Sequence, residues 1–149
     1  MPPPLLLSCE SIAKQYGPRP LFEKLSFGLY EGDRVGLVGP NGAGKSTFLR
    51  ILAGLEDADV GTLAQKKGLR VGYLAQDPTF SDGATVESAM LEALADLPLE
   101  DFEKSTRVGL ALGRLGFRDF DQPVEILSGG WKKRLGLARE LAREPDVLL

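Results

Sequence analysis

The chain has 149 residues, of which 43% are hydrophobic and 26% charged, the balance of a single domain of ordinary globular composition. It contains no histidine and one cysteine, Cys9, which excludes histidine-based nucleophilic triads, argues against a zinc site, and rules out an intrachain disulfide, so a reducing, cytoplasmic setting fits. A net charge of −3 excludes an all-over basic coat for nucleic acid but leaves room for local basic patches.

MPPPLLL at the start has no basic residue ahead of its three leucines and does not read as a signal peptide. No apolar run approaches the roughly 20 residues of a membrane span. LLLSCESI (5–12) and LFEKLSFGLY (21–30) alternate enough to predict strands, with Glu31-Gly32-Asp33 as a turn. RVGLVG (34–39) is continuously apolar and predicts a short strand buried on both faces. In STFLRILAG (46–54), Phe48, Leu49, Ile51 and Leu52 fall at helical spacing and Gly54 can cap the end. GTLAQKKGLRVGYLAQ (61–76) predicts a hairpin around Lys66-Lys67-Gly68. Thr85 can cap a helix to about residue 96, and a second helical stretch runs from about 99 to 116. After Pro123, Ser128 caps a third helix with Trp131, Leu135, Ala138 and Leu141 or Ala142 on one face. Pro145 ends it, and Val147-Leu148-Leu149 begin another buried-type strand. The expected fold is an α/β layer with an antiparallel β portion and a helical subdomain.

Gly39-Pro40-Asn41-Gly42-Ala43-Gly44-Lys45-Ser46 fits G-x-x-x-x-G-K-[ST] and sits between a predicted strand and a predicted helix. Glycines let backbone N–H groups turn inward around an anion, and the helix N-terminus adds partial positive charge. Lys45 is placed to reach β- and γ-phosphates, and Ser46 to ligate Mg²⁺. An ordinary glycine turn would need neither Lys45 nor Ser46. The spacing is not the G-x-G-x-x-G of a dinucleotide fold.

Leu127-Ser128-Gly129-Gly130-Trp131 then carries a resemblance. The chain resembles an ABC-type ATPase domain, a P-loop NTPase, over nearly all its length. GPNGAGKST (39–47) is similar to that family's Walker A loop, through Thr47, and LSGGW to its signature. Gln76, in GYLAQD, is similar to the Q-loop glutamine, and Tyr16, in KQYG, to the aromatic that stacks on adenine. The resemblance implies ATP and Mg²⁺ as cofactors. It makes Lys45 and Gln76 the catalytic candidates and Ser46 and Gln76 the metal candidates. It also implies that Ser128, Gly129 and Gly130 act in trans, closing on ATP held by a second ABC domain. Two glycines in a first helical turn cost helix stability, which a plain serine cap does not explain. Lys132, Lys133 and Arg134 oppose the helix dipole at roughly 0.3–1 kcal/mol each. Either solvent screens them, or they face an anion such as the opposing phosphates or an RNA backbone.

Within the family, Trp131 where many transporter ATPases have glutamine, the short 61–76 segment and the early start are similar to the first domain of an ABC-F protein. That branch is soluble, carries two ATPase domains in one chain, and acts on ribosomes in translation or antibiotic protection. The alternatives are the ATP-binding subunit of an ABC membrane transporter, gripping a permease near Gln76, and a regulatory module that binds without hydrolysis. The resemblance divides the chain into a β-rich, Walker A part (about 5–76), a helical subdomain (about 77–127), and the signature helix with the start of the Walker B strand (127–149). It also places the Walker B acidic pair, including the general base, and the switch histidine after Leu149. Asp146 precedes the strand and does not replace them. The 149 residues are therefore expected to be a partial domain that binds ATP weakly and does not hydrolyse it alone, while the intact protein is an ATPase.

Overall fold

The computed structural model describes residues 2–149. Strand β1 (Leu5–Gln15) is the centre of a three-stranded antiparallel sheet, with β2 (Pro20–Tyr30) on one edge and β3 (Val60–Gln65) on the other. Leu7 faces Leu29, Cys9 faces Phe27, and Ile12 faces Leu25; on the other edge Cys9 pairs with Leu63. The ladder slips between Cys9 and Ile12, where Ser11 takes a positive φ of 51°, the mark of a bulge. Gly61 lies against this bulge with φ 94°, and a Cβ there would sit 2.6 Å from both the Glu10 carbonyl oxygen and the Ile12 Cα. Only glycine fits there.

Helix α1 (Lys45–Leu52) buries Phe48, Ile51 and Leu52 against Leu7, Cys9 and Ile12 of β1. The rings of Phe22 and Phe27 each meet Phe48 edge-on at 6.1 Å, a preferred aromatic geometry. Gly54 ends the helix with φ 72°, its N–H donating to the Ile51 carbonyl at 3.0 Å. Burial pushes the Cys9 thiol pKa up, opposed in part by a hydrogen bond from the Phe27 backbone, so Cys9 is a core residue with little thiolate character.

Two strand expectations are corrected. Residues 34–39 form no strand, and Val35, Leu37 and Val38 are exposed, Val38 by 94%. A two-sided buried strand requires ladder partners and covering layers, and none of the described residues supplies them. The 61–76 segment is not a hairpin. It does turn at Lys66–Gly68, where Gly68 has φ 77° and the Leu69 N–H donates to Lys66 at 3.0 Å. But β3 pairs with β1, whose second edge would otherwise be open, and the next strand, β4, is only Val71–Gly72. The Gly72 carbonyl instead accepts the Leu149 N–H at 2.9 Å.

The chain divides into two compact units, one up to Tyr73 together with Leu149, the other Leu74–Leu148. The second unit is helical. Helix α2 (Val86–Ala93) begins with a capping box, Thr85 Oγ1 accepting the Ser88 N–H at 3.1 Å and Ser88 Oγ accepting the Thr85 N–H at 2.9 Å. Helix α3 (Asp101–Arg114) opens on a second box, between Glu100 and Glu103. A single 3₁₀ turn (Val124–Ile126) follows Pro123, and α4 (Gly129–Ala142) follows Ser128. Met90 and Leu94, Val108 and Leu112, and Leu135, Ala138 and Ala142 meet in one apolar core. Ala142, not Leu141, completes the inner face of α4, since Leu141 is exposed. Beyond α4, Arg143 forks onto Asp96 at 2.7 and 2.8 Å and also donates to the Ala93 carbonyl. The fork holds the Asp96 carboxyl at about 2. Strand β5 (Val147–Leu148) ends the unit.

Candidate nucleotide-binding site

In the first unit the phosphate loop runs from Gly39 to the start of α1. Gly42 and Gly44 adopt φ 82° and 88°, a region L side chains rarely enter. Gly44 is doubly constrained, because a Cβ there would lie 2.6 Å from Leu21 Cγ and 2.9 Å from Phe22 Cδ1. The loop is thereby seated on the start of β2. Gly44 is the N-cap of α1 and has no side chain to cap it, and the first turn holds no acid. The first helical hydrogen bond is from the Phe48 N–H to Gly44 at 2.8 Å, so the backbone N–H groups of Lys45, Ser46 and Thr47 have no acceptor among the described residues. Three convergent donors at a helix N-terminus form an anion cradle. The Lys45 ammonium bends back over the loop, donating to the carbonyls of Gly39 at 2.7 Å and Pro40 at 2.8 Å. Ser46 is exposed in the first turn. The donor set fits a polyphosphate with a Mg²⁺ ion beside Ser46.

Tyr16 directly follows β1 and is 64% exposed. Its hydroxyl bonds to the Glu56 carboxylate. Glu56 also meets Lys14 Nζ at 3.3 Å and Arg50 Nε at 3.6 Å. Lys14 donates to the Asp57 carbonyl at 2.8 Å and pairs with Asp59 at 3.3 Å. Desolvation pulls the Lys14 pKa down, but its bonds to Glu56 and Asp59 prevail and raise it. The Gln15 N–H, 2.8 Å from Asp59 Oδ2, is the main cause of the lowered Asp59 pKa. The sequence reading missed this cluster.

In the second unit, Gln76 is exposed in a bend and does not end a strand, since β4 stops at Gly72. The segment around it is packed on α4. A Cβ at Gly136 would lie 2.9 Å from Pro78 Cβ and 3.0 Å from Leu74 Cδ1. Arg139 donates to the Thr79 carbonyl at 2.8 Å and lies over the Phe80 ring. Lys133 is 3.9 Å from Asp77. Ser128 accepts the Trp131 N–H at 3.4 Å, and the Gly129 and Gly130 N–H groups have no acceptor among the described residues. Neither glycine has a positive φ, and nothing lies within 4 Å of a Cβ built on either. Trp131 packs edge-on against Phe117, with Arg134 over its ring at 4.8 Å. Of the three cations expected to oppose the helix dipole, Lys133 thus has an acidic neighbour in its own chain and Arg134 an aromatic one.

An α/β fold with a glycine-rich loop opening a lysine-serine helix defines a P-loop NTPase, here of the ABC ATPase type. The family model described as ABC transporter matches residues 22–149, and the chain belongs to that family. Among curated relatives it is 32% identical to the uncharacterized ABC transporter ATP-binding protein YfmR of Bacillus subtilis (strain 168), over 97% of this chain and 28% of that protein. It is 36% identical to the zinc import ATP-binding protein ZnuC of Photorhabdus laumondii, over 97% of this chain and 54% of that protein. It is 30% identical to the energy-dependent translational throttle protein EttA of Haemophilus influenzae, over 88% of this chain and 30% of that protein. The chain therefore spans between about a quarter and a half of these relatives. Among solved structures, cbiO1 of Clostridium perfringens, part of the ABC transporter complex cbiONQ, superposes with a TM-score of 0.81 at 25% identity, covering 97% of this chain and 64% of that one.

Proposed function

We propose that the chain binds ATP with Mg²⁺ and that the protein carrying it couples ATP hydrolysis between two paired ABC domains to a membrane permease. The observation that carries the binding is the open row of N–H donors at Lys45, Ser46 and Thr47, beside the Lys45 ammonium. Residues Gly39 to Thr47 wrap the phosphates, Lys45 neutralises their charge, and Tyr16 offers its ring to the base. Ser46 would supply an oxygen ligand toward Mg²⁺, which would polarise the phosphoryl group when bound. Ser128, Gly129 and Gly130 leave a helix end with two free N–H groups and no side-chain bulk at the glycines. That surface suits the phosphates of a second domain's ATP better than it suits any partner within the chain.

The permease partner is supported by the family and by the likeness to the zinc import protein ZnuC. Among the described residues no helix is long and apolar enough to cross a membrane. A second reading, a soluble ABC-F factor acting on ribosomes, draws on Trp131 after LSGG and on the likeness to EttA. Cell fractionation with an antibody to the chain separates them. Recovery with membranes and release by detergent supports the permease. Co-sedimentation with ribosomal particles, strengthened when hydrolysis is blocked, replaces it with the ABC-F reading. ATP binding without turnover in the full-length protein overturns both in favour of a regulatory module.

A further inference from the structure

We propose that Glu56 is a positioning residue that sets the Tyr16 ring relative to the phosphate-loop helix, while Lys14 closes one face of that ring; the inference rests on the ATP-binding reading above. An exposed tyrosine just past a strand end rotates freely unless both its backbone and its tip are held. Here both are held by one turn, residues 56–59. The Tyr16 hydroxyl meets the Glu56 carboxylate, and Asp59 accepts the N–H of Gln15, the residue immediately before Tyr16. Glu56 in turn is tied to Arg50, in the last turn of α1, and the first turn of α1 is the phosphate cradle. Only one side chain thus stands between the ring and the helix that would hold the phosphates. Glu56 and Lys14 are only 16% and 12% exposed at their side chains, so this pair is screened less than a surface bridge.

Lys14 adds a second constraint. Its ammonium sits 5.3 Å from the Tyr16 ring centroid, within cation–π range. That covers one face and leaves the other for a flat base. A held ring with one open face improves recognition of a nucleotide but not of a bare triphosphate. Base and phosphates are then read in one fixed register.

The test compares Mg-ATP with inorganic tripolyphosphate, binding to the full-length protein and its variants. Tyr16→Ala removes the ring and is expected to weaken ATP roughly tenfold or more without changing tripolyphosphate. Tyr16→Phe keeps the ring and loses the tether; Glu56→Ala loses the tether from the other side. Each is expected to weaken ATP about threefold, with tripolyphosphate unchanged and the double variant no worse than either single one. Glu56→Gln, which keeps an acceptor oxygen, recovers part of the loss. If Tyr16→Ala is selective for ATP but Tyr16→Phe and Glu56→Ala bind like the native protein, the positioning role is wrong and the ATP reading stands. Equal weakening of both ligands by Glu56→Ala reduces Glu56 to a merely structural residue and overturns the proposal. If Tyr16→Ala itself shows no selectivity, base stacking fails and the proposal falls with it. Should Glu56→Ala not fold, Tyr16→Phe, which removes one hydroxyl, decides alone.

Discussion

In the unit of residues 74–148, Thr85, Glu100 and Ser128 begin the three helices, and their inner faces close on one another around Met90, Leu112 and Leu135. In the sheet-bearing unit, α1 starts on a glycine with no side-chain cap, and the apolar stretch before it stays exposed at Val35, Leu37 and Val38. The difference is one of what the helix starts do with their donors. An uncapped helix start costs stability on its own but leaves donors for a ligand. A capped one spends the same donors on the fold. The helical unit is not fully capped either: on α4, Ser128 takes the Trp131 N–H and the two glycine N–H groups stay open, and on α3 the Asp101 and Phe102 N–H groups have no acceptor among the described residues. The starts of α1 and α4, the two that resemble ATP-contacting motifs, hold no acid in their first turn, whereas α3 has Asp101 and Glu103 there.

The contrast is breakable by substitution. Leu135→Ala, in the closed helical core, is expected to cost about 2–5 kcal/mol in denaturant unfolding. Gly44→Ala forces a Cβ to within 2.6 Å of Leu21 at φ 88°; about 1–3 kcal/mol of strain is expected, together with loss of ATP binding by titration calorimetry. Thr85→Ala removes one arm of a capping box and is expected to cost about 0.5–2 kcal/mol, read as a lower melting temperature.

Arg143→Gln removes the fork on Asp96. The Asp96 carboxyl is lowered from 3.8 to about 2 in the folded chain, so the pair stabilises fully above the unfolded value and its contribution fades as pH falls through about 2. Native and variant melting temperatures should therefore differ at pH 6 and converge toward pH 2; a constant gap would place the loss elsewhere. The smallest effect is expected from Val38→Thr, within about 0.5 kcal/mol because the side chain is exposed. A cost of several times that would mean residues 34–39 pack as a strand in the protein.

Which parts the sequence made legible follows the same division. The helices capped by Thr85 and Ser128 are readable because each lies within three residues of the group it satisfies. The phosphate loop was readable because glycine, lysine and serine act through adjacent backbone. Residues 34–39 were misread because an apolar run specifies a strand only when partner strands lie beside it. The hairpin at 61–76 was misread because the open edge of β1 competed for β3, a long-range choice that periodicity does not encode. The contacts of Glu56 with Tyr16 and Lys14 span about forty residues, and the need for glycine at Gly136 arises from Leu74 and Pro78, some sixty residues away. Neither leaves a local pattern.

The central claim is that the loop before α1 holds ATP through its free N–H groups and Lys45. Titration calorimetry of Mg-ATP into the full-length protein, native against Lys45→Ala, tests it most directly. The account predicts saturable binding by the native protein, weakened at least about tenfold in the variant. Equal affinities for the two, or no binding by the native protein, would contradict it.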